Sequence, residues 1–408
     1  MHEKRHVKGK YIMKILITTD LFTTSTNGVV TSVRNLRDEL KNRGHDVRIL
    51  TLSGDRDSYQ DGDVYYVKSI SIGSIYPDVR MPISYRNDLI RELIEWKPDV
   101  IHSQCEFFSF QFARRIAKLT GAPLIHTYHT LYEQYITYVL PSERFGNHMV
   151  RQLSRARLKS VKTIIAPTSK VEGALRGYGL DNEIQVVPSG IALEQHHCRL
   201  SEEERREKRQ LLEIPEDHQV LLNLGRLGTE KNLEELLEFF SVALLHNQKL
   251  TFLIVGDGPD KDNLEHMAGN LGIGAHVIFA GMVEPSEVQE YYQLADVFVS
   301  ASTSETQGLT YIEAAANGLP LLCRKDDCLT DVIQEGVNGY EYTSVEEFLN
   351  KLKLILENAE WRTSAGKHSI KIAETFDKSH FADTIEAIYE SVKEDTMKED
   401  IVIEENVD

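Results

Sequence analysis

The sequence predicts an α/β protein of two domains, each built as a doubly wound parallel sheet. Short apolar segments recur along the chain, each followed by a polar loop and then an amphipathic or Ala-rich stretch. That strand, loop, helix, strand rhythm belongs to parallel sheets buried on both faces. The rhythm begins at Lys14 and restarts at Gln219, after a charge-rich crossing at 194–210. A chain of 408 residues, 41% hydrophobic and 27% charged, is long enough for two cores.

Composition narrows the function classes. No apolar run reaches the roughly 18 residues of a spanning helix, and the N-terminus lacks the apolar centre of a signal peptide. Cys105, Cys198, Cys323 and Cys328 are too few for a disulfide framework, and Cys323 and Cys328 do not have zinc-ligand spacing. They are expected as free thiols in a reducing compartment. Residues 1–190 carry 27 Lys+Arg against 20 Asp+Glu, whereas 191–408 carry 19 against 43. A basic half beside an acidic half argues against a nucleic-acid binder. It allows the first domain to face an anionic surface, although solubility alone would also explain the acidic half.

In chain order, 1–12 is expected as a mobile basic extension. Lys14–Thr19 is the first strand, Val29–Arg43 a helix with Val29, Val33, Leu36 and Leu40 on one face, and Val47–Leu50 the next strand. Asn27-Gly28 opens the helix, where free amides favour an anion, though Asn-Gly is also an ordinary turn. Asp55-x-Asp57 and Asp61-x-Asp63 read as turn residues, not metal ligands. Asp99–His102 and Pro123–His129 are strands, and His126, Tyr128 and His129 fall at a carboxyl end, where ligands bind in such sheets.

Residues 141–162 gather Arg144, Arg151, Arg155, Arg157, Lys159 and Lys162 around Met149, Val150, Leu153 and Leu158, and Tyr132, Tyr135 and Tyr138 precede them. This pattern fits a helix lying on anionic lipid headgroups. It equally fits a surface helix packed on its own domain. Arg80, Arg86 and Arg91 form a weaker basic patch. Thr163–Pro167 and Ile184–Gly190 close the first domain, which spans 13–190.

The second domain is expected over 191–375. Gln219–Leu224 leads into Gly225-Arg226 and Lys231-Asn232, two cations on one loop that could neutralise a departing diphosphate. Leu250–Val255 leads into Gly256-Asp-Gly-Pro259, a marker of the fold, and Val277–Val283 follows. Asp296–Ser300 then enters the stretch 301–318. There Glu305 precedes a helix that begins near Leu309, and Glu313 lies within it. Ala314, Ala315 and Ala316 favour helix, and Asn317-Gly318 stops it. Eight positions of helix would span about 12 Å, too far for one shared proton but suited to the two ends of a polyhydroxylated ligand. Gln307, Gly308, Leu309 and Thr310 present the helix-start amides to an anion between them. A sugar, a diphosphate and a ribose in series describe a nucleotide sugar, although two solvated glutamates would have the same spacing.

Glu305 to Glu313, followed by Ala-Ala-Ala-Asn-Gly-Leu-Pro, resembles the E-x7-E segment of the family 4 retaining glycosyltransferases. The wording 303–313, with Thr127-Tyr-His-Thr-Leu-Tyr, is most similar to the diacylglycerol glucosyltransferase branch, and the similarity covers most of 13–390. The resemblance implies the GT-B fold, two Rossmann-like domains facing across a cleft. It implies UDP-glucose as co-substrate and diacylglycerol as acceptor; no further cofactor is expected, and no metal if the two cations and the helix amides carry the charge. By the same resemblance Gly28 lies against the donor phosphates and His129 near the reacting carbon. Arg226 and Lys231 hold the diphosphate, Val283 lies in the base-contacting loop, Glu305 takes sugar hydroxyls and Glu313 the ribose. Tyr132, Tyr135, Arg144, Arg151 and Arg155 are the membrane and acceptor candidates. A return helix at 376–394 and a disordered acidic tail at 395–408 are expected, with the protein on the inner face of the cell membrane. A soluble acceptor, a nucleotide-sugar epimerase and a non-catalytic sensor remain as alternatives.

Overall fold

The structure, a computed structural model, describes residues 6–7, 10–22, 28–54, 57–72, 80–134, 143–196 and 198–405. The chain divides into two compact units, 1–190 with 378–408, and 191–377.

The first unit holds an eight-stranded sheet. From Lys14–Thr18 at its centre the chain steps outward through Asp46–Leu52 and Val64–Val67. It then returns to Val100–Ser103 on the other flank and steps out through Leu124–Thr127, Thr163–Ala166 and Glu183–Val186. These strands are parallel, and Tyr59–Asp61 adds an antiparallel edge. The reversal between Lys14–Thr18 and Val100–Ser103 is a topological switch point, where the carboxyl ends of adjacent strands open a crevice. The inner strands are buried throughout because both faces carry helices: Ile15, Leu16, Ile17, Val100 and Ile101 have no exposed surface.

The predicted first helix forms as Gly28–Asn42, burying Val30, Val33, Leu36 and Leu40. The last helix, Lys378–Glu405, docks on this unit. Its Phe381, Ile385, Ile388, Tyr389 and Val392 join the cluster of Met13, Ile15, Ile17 and Val33. Polar contacts fix its rotation: Glu386 accepts from His45 at 2.9 Å and Arg43 at 3.1 Å, and Lys393 reaches Asp99 at 2.6 Å. Where the sequence suggests a disordered tail from 395, the chain stays helical to Glu405. The docked turns nucleate the helix and an Asp395–Lys398 pair at 3.5 Å extends it. Residues 406–408 lie outside the described residues.

The second unit holds a six-stranded, all-parallel sheet. Gln219–Leu224 lies centrally, with Leu250–Val255 and Val277–Gly281 stepping out on one side. Val297–Ser300, Leu321–Arg324 and Gly339–Tyr342 step out on the other. Its switch point falls between Gln219–Leu224 and Val297–Ser300, paired at Leu221 with Val297. The expected crossing at 194–210 contains a helix, Glu202–Leu211, started by a capping box between Ser201 and Glu204. It packs on Val288–Leu294, with Arg205 donating to the Gln293 carbonyl at 2.9 Å. The Gly256-Asp-Gly258 turn is a packing device. A Cβ on Gly256 would sit 1.8 Å from the Gly225 carbonyl oxygen, and one on Gly258 2.3 Å from that of Leu227. Only glycine lets the loops after neighbouring strands touch backbone to backbone.

Candidate active site

Both loops that leave the second unit's switch point carry predicted site residues, and a salt bridge ties them together. Lys231 ends the short turn Thr229–Lys231 after the first strand, and Glu305 lies in the loop after Val297–Ser300. Lys231 Nζ stands 2.5 Å from Glu305 Oε1, with side chains 22% and 19% exposed, so the pair sits at the surface of the crevice and remains reachable. Arg226 pairs with Glu230 in its own loop; the arginine is 41% exposed and the glutamate 4%. The guanidinium therefore faces outward from a buried anchor.

Gly308 caps the helix Leu309–Ala316 in the left-handed region, φ +73°. A Cβ there would lie 2.5 Å from the Tyr311 ring, whose hydroxyl is 3.0 Å from the Ser300 hydroxyl. Glycine thus lets Tyr311 close under the loop and leaves the first helical amides at its mouth. Gln307 is buried beside it, and Leu309 and Thr310 are half-buried. Asn317 and Gly318 terminate the helix, and Arg199 donates to the Asn317 carbonyl at 2.7 Å, a cation at the helix's negative end. Val283 is half-buried and packs against the core cluster of the second unit.

Glu313, one face along from Glu305, is treated differently. Its carboxyl accepts from the Tyr292 hydroxyl at 2.9 Å. Burial pushes it up to about 7, and the Tyr292 bond opposes that shift. Two carboxylates on one stretch thus have different chemistry: Glu305 ion-paired, Glu313 held near the midpoint of its titration.

In the first unit the switch point gathers a second polar cluster. His129 donates from Nε2 to Gln104 Oε1 at 2.7 Å, and burial, with His126 nearby, pulls it down to about 3. A neutral imidazole suits positioning by hydrogen bonds. His126 Nε2 lies 3.1 Å from Glu106 Oε1. His102 bridges the Tyr389 hydroxyl at 2.6 Å and the Thr127 hydroxyl at 2.7 Å, coupling the last helix to the strand that precedes His129. Asp20 accepts from the amides of Ser109 at 2.6 Å and Phe108 at 3.3 Å, capping the helix Phe108–Thr120. Gly28 is exposed at its helix start, and Asn27 lies outside the described residues.

Several sequence-based expectations change. Tyr132 is half-buried, its hydroxyl donates to Glu106 at 2.5 Å and its ring packs edge-on against Phe107 at 4.9 Å. Its polar tip is consumed by a buried carboxyl, which its place in the sequence does not reveal. Tyr135 and Tyr138 lie outside the described residues. Arg144 and Arg155 are exposed on the helix Glu143–Leu158, and Arg151 pairs with Glu133 at 2.8 Å. Val150 and Leu158 spend that helix's apolar face on the domain, whereas Phe145 and Leu153 stay 62% and 46% exposed. Arg80 is tied to the Ser53 carbonyl at 2.8 Å, and Arg91 to Asp88 at 3.2 Å. Asp63 is held by Arg37 and Lys41, and Asp57 by Lys68, while Asp55 lies outside the described residues.

With this geometry in hand, likeness to known proteins decides the family. Residues 204–372 match the family described as Glycosyl transferases group 1, and residues 26–195 match Glycosyltransferase Family 4. The alpha-monoglucosyldiacylglycerol synthase of Streptococcus pneumoniae is 35% identical over 332 residues, 81% of this chain and 75% of that one. The chain belongs to the family 4 glycosyltransferases. The enzyme of the same name from Acholeplasma laidlawii is 30% identical over 388 residues, 92% of this chain and 96% of that one. Among solved structures, Anabaena Alr3699/HepE in complex with UDP superposes with a TM-score of 0.74 at 17% identity, covering 93% of this chain and all of that one. That likeness speaks to fold, and the fold of this glycosyltransferase is GT-B, two Rossmann-like units. Gln104, Glu106 and Tyr292 escaped the sequence reading, because none carries a spacing signal toward the residue it holds.

Proposed function

We propose that this glycosyltransferase moves glucose from UDP-glucose to 1,2-diacylglycerol with retention of the anomeric configuration. The observation that carries the donor half is the Lys231–Glu305 bridge across the switch point, with Glu313 behind it. Arg226 and Lys231 hold the diphosphate, the amides after Gly308 share its charge, and Val283 lies beside the base. Glu305 accepts from the sugar hydroxyls and Glu313 from the ribose. The acceptor hydroxyl attacks the anomeric carbon on the face from which UDP departs. The C–O bond to phosphate breaks, the new C–O bond forms, and the acceptor proton passes to the leaving phosphate oxygen. Cations and amides stabilise the departing charge without a metal, and neutral His129 holds a sugar hydroxyl.

The lipid acceptor is supported by the names of the two relatives. Exposed Arg144 and Arg155 beside exposed Phe145 and Leu153 add a basic and apolar face, as does a cavity of 440 Å³ lined by Arg114, Lys118, Lys159 and Lys162. Such a surface seats the protein on the anionic inner face of the cell membrane. Among the described residues no helix is long and apolar enough to cross it. A soluble acceptor is the second reading, favoured by the helix 143–158 turning Val150 and Leu158 inward. NMR of the product's anomeric proton, with EDTA in the reaction, tests the chemistry. An α-linked hexose formed at undiminished rate is expected; a β-linkage or loss of turnover with EDTA would overturn it.

A further inference from the structure

Tyr292 is fully buried on the short helix Val288–Leu294, with its ring 6.2 Å from that of Phe298. Its hydroxyl has one proton and two oxygens in range, Glu313 Oε2 at 2.9 Å and the Thr310 carbonyl at 3.4 Å. The shorter contact, to the carboxyl, takes the bond. Among the described residues this is the one side-chain hydrogen bond to the Glu313 carboxyl. Glu313 is half-buried, and among the described residues its other carboxyl oxygen has no hydrogen-bond donor.

We infer that Tyr292 is the positioning residue of the ribose subsite: by anchoring one carboxyl oxygen of Glu313 it aims the other at the ribose hydroxyls of the nucleotide. The inference rests on the donor reading above. A carboxyl with both oxygens loose can rotate or take a proton. A carboxyl pinned at Oε2 by a buried phenol presents Oε1 in one direction, as an acceptor for a vicinal diol. The phenol serves this end because it brings a donor and no charge. A lysine in its place would form a closed ion pair that competes with the sugar. The same bond favours the ionised carboxylate against the burial that opposes it.

Tyr292→Phe removes the hydroxyl and keeps the ring that packs on Phe298. Titration calorimetry with UDP and with 2′,3′-dideoxy-UDP separates aim from packing. Wild type is expected to prefer UDP. Tyr292→Phe is expected to lose about tenfold in UDP affinity, the scale of a hydrogen bond to a charged group, with dideoxy-UDP unchanged. Glu313→Gln is expected to lose the same preference, and adding Tyr292→Phe to it to cost nothing more. Equal losses for both nucleotides, or a Tyr292→Phe protein that matches wild type while Glu313→Gln does not, would overturn the role of Tyr292 alone. Wild type that binds neither nucleotide would remove the donor reading and the inference with it. A thermal melt of each variant confirms that the proteins compared are folded.

Discussion

Lys231 and Glu305, 74 residues apart in sequence, meet at 2.5 Å over the switch point of the second sheet. Each compensates the other before substrate arrives, and both are partly exposed, so a diphosphate and a sugar can share them without desolvating an isolated charge. Their substitutions should separate. Lys231→Ala with Arg226→Ala is expected to abolish measurable UDP binding. Glu305→Gln should lower kcat by 100-fold or so, a few kcal/mol of lost transition-state contact, with UDP affinity changed by less than about tenfold. Calorimetry and steady-state kinetics on the same preparations check both.

Glu313 supplies a pH signature. Its carboxyl is raised from 4.5 to about 7 by burial. The folded protein therefore holds a proton that the unfolded chain has released between those values, so stability from this group falls as pH rises from about 4.5 to 7. Glu313→Gln should remove that slope and gain about 3 kcal/mol over wild type at pH 8, read by urea denaturation across the range. The ionised form is the better acceptor for hydroxyls. UDP affinity should accordingly rise with pH through 7 more steeply in wild type than in the variant, where only the nucleotide's terminal phosphate titrates.

Gly308 has a left-handed φ of +73° and the Tyr311 ring packed against it. Gly308→Ala pays for both the backbone strain and the clash, on the order of 2 kcal/mol or more. The expected outcome is a lower denaturation midpoint together with weaker UDP binding, because the amides of the helix start shift with Tyr311.

The helix Glu143–Leu158 should carry membrane attraction through charge. Replacing Arg144, Arg151 and Arg155 with Glu is expected to abolish flotation with anionic vesicles, at about 1 kcal/mol for each basic residue near the surface. Binding of UDP should be unchanged. Flotation that persists at low salt would move the contact elsewhere.

Strand rhythm made the central strands of both sheets legible, since buried parallel strands are short continuous apolar runs, whereas Tyr59–Asp61, Val64–Val67 and Gly339–Tyr342, on the flanks, carry no continuous aliphatic run and were not legible as strands. The helices Gly28–Asn42 and Leu309–Ala316 were legible for different reasons, one from its spaced aliphatics and the other from its alanines and its Asn317-Gly318 stop. What stayed hidden depends on contacts distant in sequence. Glu386, His45 and Tyr389 hold the last helix against the first unit, so the acidic turns after 395 stay ordered despite their composition. The bond from the Tyr132 hydroxyl to Glu106 joins residues 26 apart and has no signature in the spacing of the tyrosines. Tyr292, 21 residues before Glu313, shows no periodicity that ties it to the carboxyl it holds.

The most direct test of the account is mass spectrometry of products formed from UDP-glucose or UDP-galactose over vesicles of diacylglycerol and anionic lipid. The account predicts a hexosyl-diacylglycerol, formed from UDP-glucose. UDP release that needs a soluble extract and leaves the diacylglycerol unmodified would contradict the lipid acceptor.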